Sequence, residues 1–367
     1  MKKIILILTI LLVTNANAQV NYLMWENVDT QRFGKETLFK TDNKLLNGSY
    51  KIAENSGAYT EVTFANGKMV GTKKNYDFSG NLEQEMVFDK NGKANGESTS
   101  YYSNGDIFEE FNYKNGLKDG EWKTFDKKGK IQRLENYKND LKEGQWVSNL
   151  KDARTGTNLV ETSFYSENKP TGKWSQKTED NRLIWEKEYS APKNYIKKEY
   201  YPNGKLTSVE TYVNNKKDGS SKYYNSAGLL LSERTYADSY PITETSFYDN
   251  GNKKEVVNSK DGYKDGLYQK YSKTGNLVTE GHFKIGYKSG EWKHYNSDDM
   301  LETTYIYADG RKNGISKTYN EAAKIESEGQ YKNDEKTGVW KFFKLNGKIS
   351  KEVEYKNGKV ISEKTYN

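Results

Sequence analysis

The sequence has no cysteine, only four prolines and two histidines, and one long apolar run. The absence of cysteine excludes disulfides, thiolate metal sites, a cysteine nucleophile and lipid attachment to an N-terminal cysteine. Aliphatic residues are sparse beyond the first thirteen positions: hydrophobic residues make up 34% of the chain, and 30 residues are tyrosine. A thick core of Leu, Ile and Val is therefore not expected. Disorder is not expected either, because aromatic residues reach 14% and fall at fixed intervals, where they can bury a large area. So few prolines beside 31 glycines fit a β-rich chain with many tight turns.

The one apolar run stands at the start. Lys2 and Lys3 precede the run Ile4 to Val13, and Ala16-Asn17-Ala18 supplies a small-residue cleavage pattern. Residues 1–18 read as a secretory signal with Gln19 as the first mature residue. The run is well short of the ~20 residues needed to span a bilayer, and no later stretch could span one. The chain is thus expected to be exported, to a periplasmic, cell-envelope or extracellular location, and to hold together without disulfides. Lys and Arg exceed Asp and Glu by 58 − 51 = 7, which falls to 5 when Lys2 and Lys3 are removed. These charges are interleaved along the chain, as on a solvated surface, and show no basic block of the kind nucleic acid requires.

What the sequence does have is one phrase used repeatedly. YKNGLKDGEW at 113–122 returns as YKNDLKEGQW at 137–146, FKIGYKSGEW at 283–292 and YKNDEKTGVW at 331–340. With the glycine before the tryptophan as position 0, glycine recurs at Gly48, Gly71, Gly96, Gly120, Gly144, Gly172, Gly219, Gly266, Gly290, Gly314 and Gly338. Two further units begin near Tyr195 and Ile242 without it, giving about thirteen units with a period near 24 residues. Position +5 is usually aromatic (Tyr76, Phe125, Tyr295), +9 is mostly glycine (Gly80, Gly129, Gly347), +11 is aliphatic (Leu82, Ile131, Ile349), and +17 is aromatic (Phe88, Tyr137, Tyr355).

Glycine at +9 supplies the positive-φ residue of one tight turn, and the Asn-Gly or Asn-Asp pair after +17 supplies a second. Two turns per unit leave two strands of roughly six to eight residues, so each unit is a β-hairpin. In the return strand Leu82, Met86 and Phe88 share one parity, as do Ile349, Val353 and Tyr355, which predicts a half-buried strand with one wet face. In the first strand +2 and +5 have opposite parity. Either a bulge intervenes and hides the tryptophan, or the two rings face opposite sides and the tryptophan is exposed. The fold expected is all-β: an elongated array of hairpin repeats over residues 46–367, forming a twisted antiparallel meander or open solenoid. Residues 19–45 do not match the repeat, and Trp25, Phe33 and Phe39 are expected to cap the first hairpin.

The pattern carried by Gly120-Glu121-Trp122, Phe125, Gly129, Ile131 and Tyr137-Lys138-Asn139 resembles the bacterial MORN-repeat variant family, in the branch that includes proteins named as toxin–antitoxin antitoxin components. The resemblance covers about residues 46–367. It implies sheets of hairpins, roles in protein contact or membrane association, and no catalysis. The H-G-x-G element of the better-known MORN consensus is absent, so the phospholipid binding proposed for that class is not carried over.

A meander of near-identical hairpins offers no obvious cleft where a nucleophile and base would converge. No enzyme activity, cofactor or metal site is expected: His282 and His294 lack a third ligand, and Asp298-Asp299 and Asp89-Lys90-Asn91-Gly92 read as turns. The candidate binding surface is the column Trp122, Trp146, Trp174, Trp292 and Trp340 at +2, as a packing ladder or as a row of flat surfaces for a protein or for sugar rings. The function expected is a protein-binding scaffold acting by multivalent contact, with glycan or cell-wall binding, or immunity against a toxin, as alternatives. Because contacts should run only between neighbours, deleting residues 290–313 is expected to leave a shorter, folded protein. A circular dichroism spectrum with the strand signature lost would contradict this.

Overall fold

The computed structural model describes residues 20–34 and 36–367; the leader read at residues 1–18 lies outside them. Among the described residues there are 34 strands and a single 3-10 turn, Trp25–Asn27. The chain divides into two compact units, one running up to Lys151 with Phe164–Lys169, the other Asp152–Ser163 with Pro170–Asn367. In each, the substantial contacts of a repeat strand are with its neighbours in the chain.

The first unit opens on a lead-in that does not follow the repeat. Asn21–Met24 pairs parallel with Gly48–Ala53, and Asp29–Phe33, Glu36–Thr41 and Lys44–Leu45 form a small separate sheet. Leu46, Ile52, Val62 and Phe64 are buried together, and Trp25 and Phe39 pack against them. Phe33 does not join them. It sits beside the tight connection to Glu36 and is 56% exposed, so the cap rests on Trp25 and Phe39 with Leu23 and Val28.

The repeat hairpin is seen in Gly120–Phe125 paired with Ile131–Lys138. Its turn is closed by the Asp126 amide donating to Lys130 and by Gly129 at φ +74. The next turn uses Asn139 and Asp140 at φ +51 and +67, a left-handed pair whose twist matches the strands it joins. Every glycine at position 0 also has positive φ, between +62 and +135. There the ladder to the preceding strand breaks. Glu280 pairs with Lys293 and His282 with Ser289, leaving Gly290, Glu291 and Trp292 across from Gly281 alone. Where the glycine is missing, at Tyr195, the three-against-one break is absent: Glu188 pairs with Ile196 and Tyr189 with Tyr195, and only a one-residue shift at Ser190 follows.

A second irregularity settles how the faces are used. Thr124 pairs with Arg133 but Phe125 with Ile131, so Gln132 is an extra residue in the return strand. The same shift recurs at Asn75/Tyr76, Lys270/Tyr271, His294/Tyr295 and Phe342/Phe343. The bulge lies in the return strand, so +2 and +5 do point to opposite sides. It also turns +11 away from +15 and +17. The predicted single parity of Leu82, Met86 and Phe88 is therefore corrected: aromatic rows occupy both faces, and neither face is simply wet.

Beyond strand pairing, the turns after the return strands bond in series. The Gly310 amide donates to Lys288 carbonyl, Asp334 to Lys312 and Gly358 to Lys336, at 3.0, 2.9 and 3.0 Å. In several units the side chain before the position-0 residue adds a second link: Asn95 Oδ1 accepts the Asn115 amide, and Asp265 Oδ2 the Ile285 amide. A Cβ on Gly129 would meet no atom within 4 Å, so any cost of substituting it is backbone strain alone. Gly129→Val is expected to lose roughly 1–2 kcal/mol relative to Lys127→Val. Equal melting temperatures for the two variants would refute the turn assignment.

Candidate functional site: the aromatic and lysine rows

The tryptophan column lies on the face shared by +2, +15 and +17, and within each unit the structure places its members among neighbouring rings. In the first unit Trp122 lies 5.6 Å from Tyr113 and from Tyr137, and Trp146 lies 5.2 Å from Tyr137 and 5.4 Å from Tyr165, all centroid to centroid. In the second, Trp174 meets Tyr189, Phe283 meets Trp292 at 5.1 Å, and Tyr331 meets Trp340 at 5.2 Å. Most are edge-on or tilted arrangements, in which ring edge faces ring cloud. Each indole N–H has a backbone partner. Trp122 Nε1 donates to Asn112 carbonyl, Trp146 to Asn136, Trp292 to His282 and Trp340 to Gln330, at 3.0–3.2 Å. Trp174 Nε1 donates to Thr171 carbonyl instead.

Depth varies along the column. Trp122, Trp146 and Trp174 are half-buried, whereas Trp292 and Trp340 are 1% and 3% exposed. Facing away from +5 has thus not exposed the tryptophans, because rings of neighbouring strands close over them. The residue opposite decides the depth. A Cβ on Gly281 would fall inside the Trp292 ring, and one on Gly329 inside the Trp340 ring. Phe111 holds that place beside Trp122, and the ring is held further out. Where +2 is small, as at Ser316 and Ser221, the serine is buried beside a bulky or charged residue of the preceding strand, Tyr305 and Glu210 respectively.

Over these rings runs a row that the sequence analysis passed by. The lysine at −2 places its ammonium on the ring faces: Lys118 on Trp122 at 3.7 Å, Lys142 on Trp146 at 4.1 Å, Lys288 on Trp292 at 4.2 Å and Lys336 on Trp340 at 4.2 Å. Lys312, whose own +2 residue is Ser316, covers Tyr305 at 3.5 Å. Each is also within 5.2 Å of the +17 ring of its unit. Its signal was in the quoted phrase, as the K of KDGEW, KEGQW, KSGEW and KTGVW. Burial lowers the pKa of Lys288 and Lys336, and the charge of Lys312 between them lowers both further.

The opposite face is organised differently. Its +3 lysines meet +14 glutamates, as in Lys74–Glu85 at 2.7 Å and Lys293–Glu280 at 3.4 Å. Tyr76 and Tyr295 hydroxyls donate to Glu61 and Glu280. Burial, then the hydrogen bond to Glu280, pushes the Tyr295 hydroxyl up to about 12.

At the edge formed by the turns, consecutive hairpins expose tyrosine in the position after the turn: Tyr240, Tyr263 at 58% and Tyr287 at 62%. An open groove of about 630 Å³ lies there, lined by Asp261, Tyr263, Asp265, His282, Phe283 and Ile285. His294 is elsewhere, its Nδ1 3.1 Å from Thr279 Oγ1. Among the described residues no three His, Asp or Glu side chains gather as metal ligands, and no helix is long and apolar enough to cross a membrane. Asp89 Oδ1 accepts the Asn91 and Lys93 amides, and Asp299 takes the positive-φ place at +59, so both acidic stretches are turns.

Hairpins of similar length with recurring bulges, repeated in series, define a β-hairpin repeat protein. It carries MORN repeat variants: the model of that family matches residues 94–115, 118–139, 196–214, 264–284 and 336–357. No curated protein matches the chain. Among solved structures it is similar to the crystal structure of TcdB2-TccC3, at 11% identity and TM-score 0.14, over 85% of this chain and 23% of that one. It is similar also to a Photorhabdus luminescens Tc holotoxin pore, at 10% identity and TM-score 0.14, over 90% of this chain and 25% of that one. The chain spans about a quarter of the length of those chains.

Because Gly281 and Gly329 both need a tryptophan beside them, the C-terminal repeats alternate with a period of two hairpins. Deleting 290–313 brings Ser316 beside Gly281 and leaves a gap, whereas deleting 290–337 brings Trp340 there. The longer deletion is expected to give the higher melting temperature, since an unfilled ring-sized space costs about 3–5 kcal/mol; the reverse order would refute the size matching. Tyr295 gives a pH prediction. With a folded pKa of about 12 against 10.0, its contribution is complete below pH 10 and lost as pH rises to about 12. Tyr295→Phe is expected to flatten that alkaline loss in denaturant melts, and an unchanged slope would contradict it.

Proposed function

We propose that the chain is an exported, non-enzymatic repeat protein that acts as a protein-binding scaffold. The observation that carries this is the edge at Tyr240, Tyr263 and Tyr287. Large rings stand exposed there in consecutive hairpins, with Ile285 beside them at 59% exposure. Aromatic rings clustered on a surface are a feature of protein interfaces, and equivalent contacts in series add by avidity. Polar and ionisable groups recur with the period, in strand pairs, turns and ring contacts, instead of converging once as a catalytic constellation does. Sugar binding through the tryptophan column would require free indole faces, which Trp292 and Trp340 lack.

The test is a pull-down with the mature chain as bait against envelope and secreted fractions, read by mass spectrometry. One saturable protein partner is expected, lost in a folded Tyr263→Ser/Tyr287→Ser variant. Retention of polysaccharide with no protein would overturn the scaffold reading.

A further inference from the structure

In the hairpins of Gly290, Gly314 and Gly338 the two faces treat lysine in opposite ways, whereas at the same −2 place earlier in the unit Lys217 and Lys264 have Glu210 and Glu255 as ion-pair partners. At +3, Lys293 has Glu280 at 3.4 Å and Lys341 is directly across from Glu328. At −2, Lys288, Lys312 and Lys336 lie on ring faces, and among the described residues none has a carboxylate within ion-pair distance. Asp334, in the neighbouring turn, has Oδ1 engaged by the Lys312 backbone amide at 2.8 Å. Three ammonium groups, half-buried and facing each other's charge in successive hairpins, form a line of cation that nothing in the unit neutralises. An anion laid along it would supply the missing acceptors and remove the mutual repulsion.

We propose that the row Lys288–Lys312–Lys336 is the docking line for an extended acidic segment of the partner protein. This rests on the scaffold reading and names the chemistry of its partner. Two strands per hairpin at about 4.8 Å set successive ammonium groups about 10 Å apart. An extended polypeptide in the polyproline II conformation advances about 3.1 Å per residue with three residues per turn, so an acidic side chain at every third position stays on one side and keeps step with the row. A nucleic-acid strand carries its charges far more densely, about 3.4 Å apart, and a single strand is held by stacking bases on free rings. Trp292 and Trp340 offer no free face, being buried with lysines over them. The row starts where the exposed tyrosine edge ends: Tyr287 precedes Lys288, while Arg311 and Glu335 stand at the same place before Lys312 and Lys336.

The experiment measures binding of a labelled poly-L-glutamate peptide to the mature full-length chain by fluorescence anisotropy, with tryptophan emission followed in parallel. Wild type is expected to bind more weakly as salt rises, with a change in emission from Trp292 and Trp340 beneath the row. Lys288→Gln/Lys312→Gln/Lys336→Gln is expected to weaken binding roughly ten-fold or more. Lys293→Gln/Lys317→Gln/Lys341→Gln removes the same charge from the other face and is expected to bind as wild type does. If the row variant fails to fold, Lys312→Gln alone is expected to weaken binding about two- to five-fold. No binding by wild type, or equal loss in both triple variants, would overturn the proposal. So would tighter binding of oligothymidylate or polygalacturonate than of polyglutamate. A protein partner captured equally by wild type and the row variant would leave the scaffold reading standing and remove the row from it.

Discussion

The structure depends on the left-handed glycine at position 0. Its positive φ lets three residues of one strand sit across from a single residue of the preceding strand. A residue with a Cβ adopts that conformation only at a cost of about 1–2 kcal/mol, so the bulge recurs where glycine does. Through it the chain brings a +2 ring down onto its neighbour, while −2 returns to the regular ladder. The lysine of −2 and the tryptophan of +2 are four residues apart, too far for adjacent sites along a regular strand. The bulge brings them together. Ring line, cation row and face assignment all follow from this local kink.

Much of the architecture was legible in the sequence because a repeat multiplies every weak signal. One glycine in a turn says little; glycine at +9 in unit after unit, beside Asn-Gly pairs, fixes a hairpin. The faces were not legible. Alternation assumes an unbroken strand, and the extra residue at +12 has no residue type of its own: Gln132 in one unit is Glu302 in another. So Leu82 was grouped with Phe88, though the bulge separates them. Phe33 was grouped with Trp25 and Phe39 by residue type, while its burial was settled by the tight connection beside it.

The candidate site was half legible. The tryptophans were found because they are rare and fall at one place in the repeat; the depth at which they lie was not, because it is set by residues eleven positions earlier. Gly281 and Gly329 look like ordinary glycines in a strand, yet each is the floor beneath an indole. Lysine escaped notice for the opposite reason. With 58 Lys and Arg in the chain, a lysine that recurs with the period is hidden among lysines that do not share its face. Net charge and local charge runs describe a chain, whereas a row of charge with one member per hairpin exists only once the hairpins are side by side.

The turn-to-turn hydrogen bonds have a direction. Each turn donates its amide to a carbonyl some 22 residues earlier, as Gly310 does to Lys288 and Asp334 to Lys312. The side-chain acceptors Asn95 and Asp265 likewise precede the amides they receive. Some bonds run the other way, since the Lys118 and Lys312 amides donate forward to Asp140 and Asp334. A finished hairpin therefore presents backbone carbonyls, with a few free donors, to the one that follows. Such a chain can assemble in the order in which it is made. Each hairpin docks on a template that exists before it, and no contact has to wait for a distant part of the sequence to emerge.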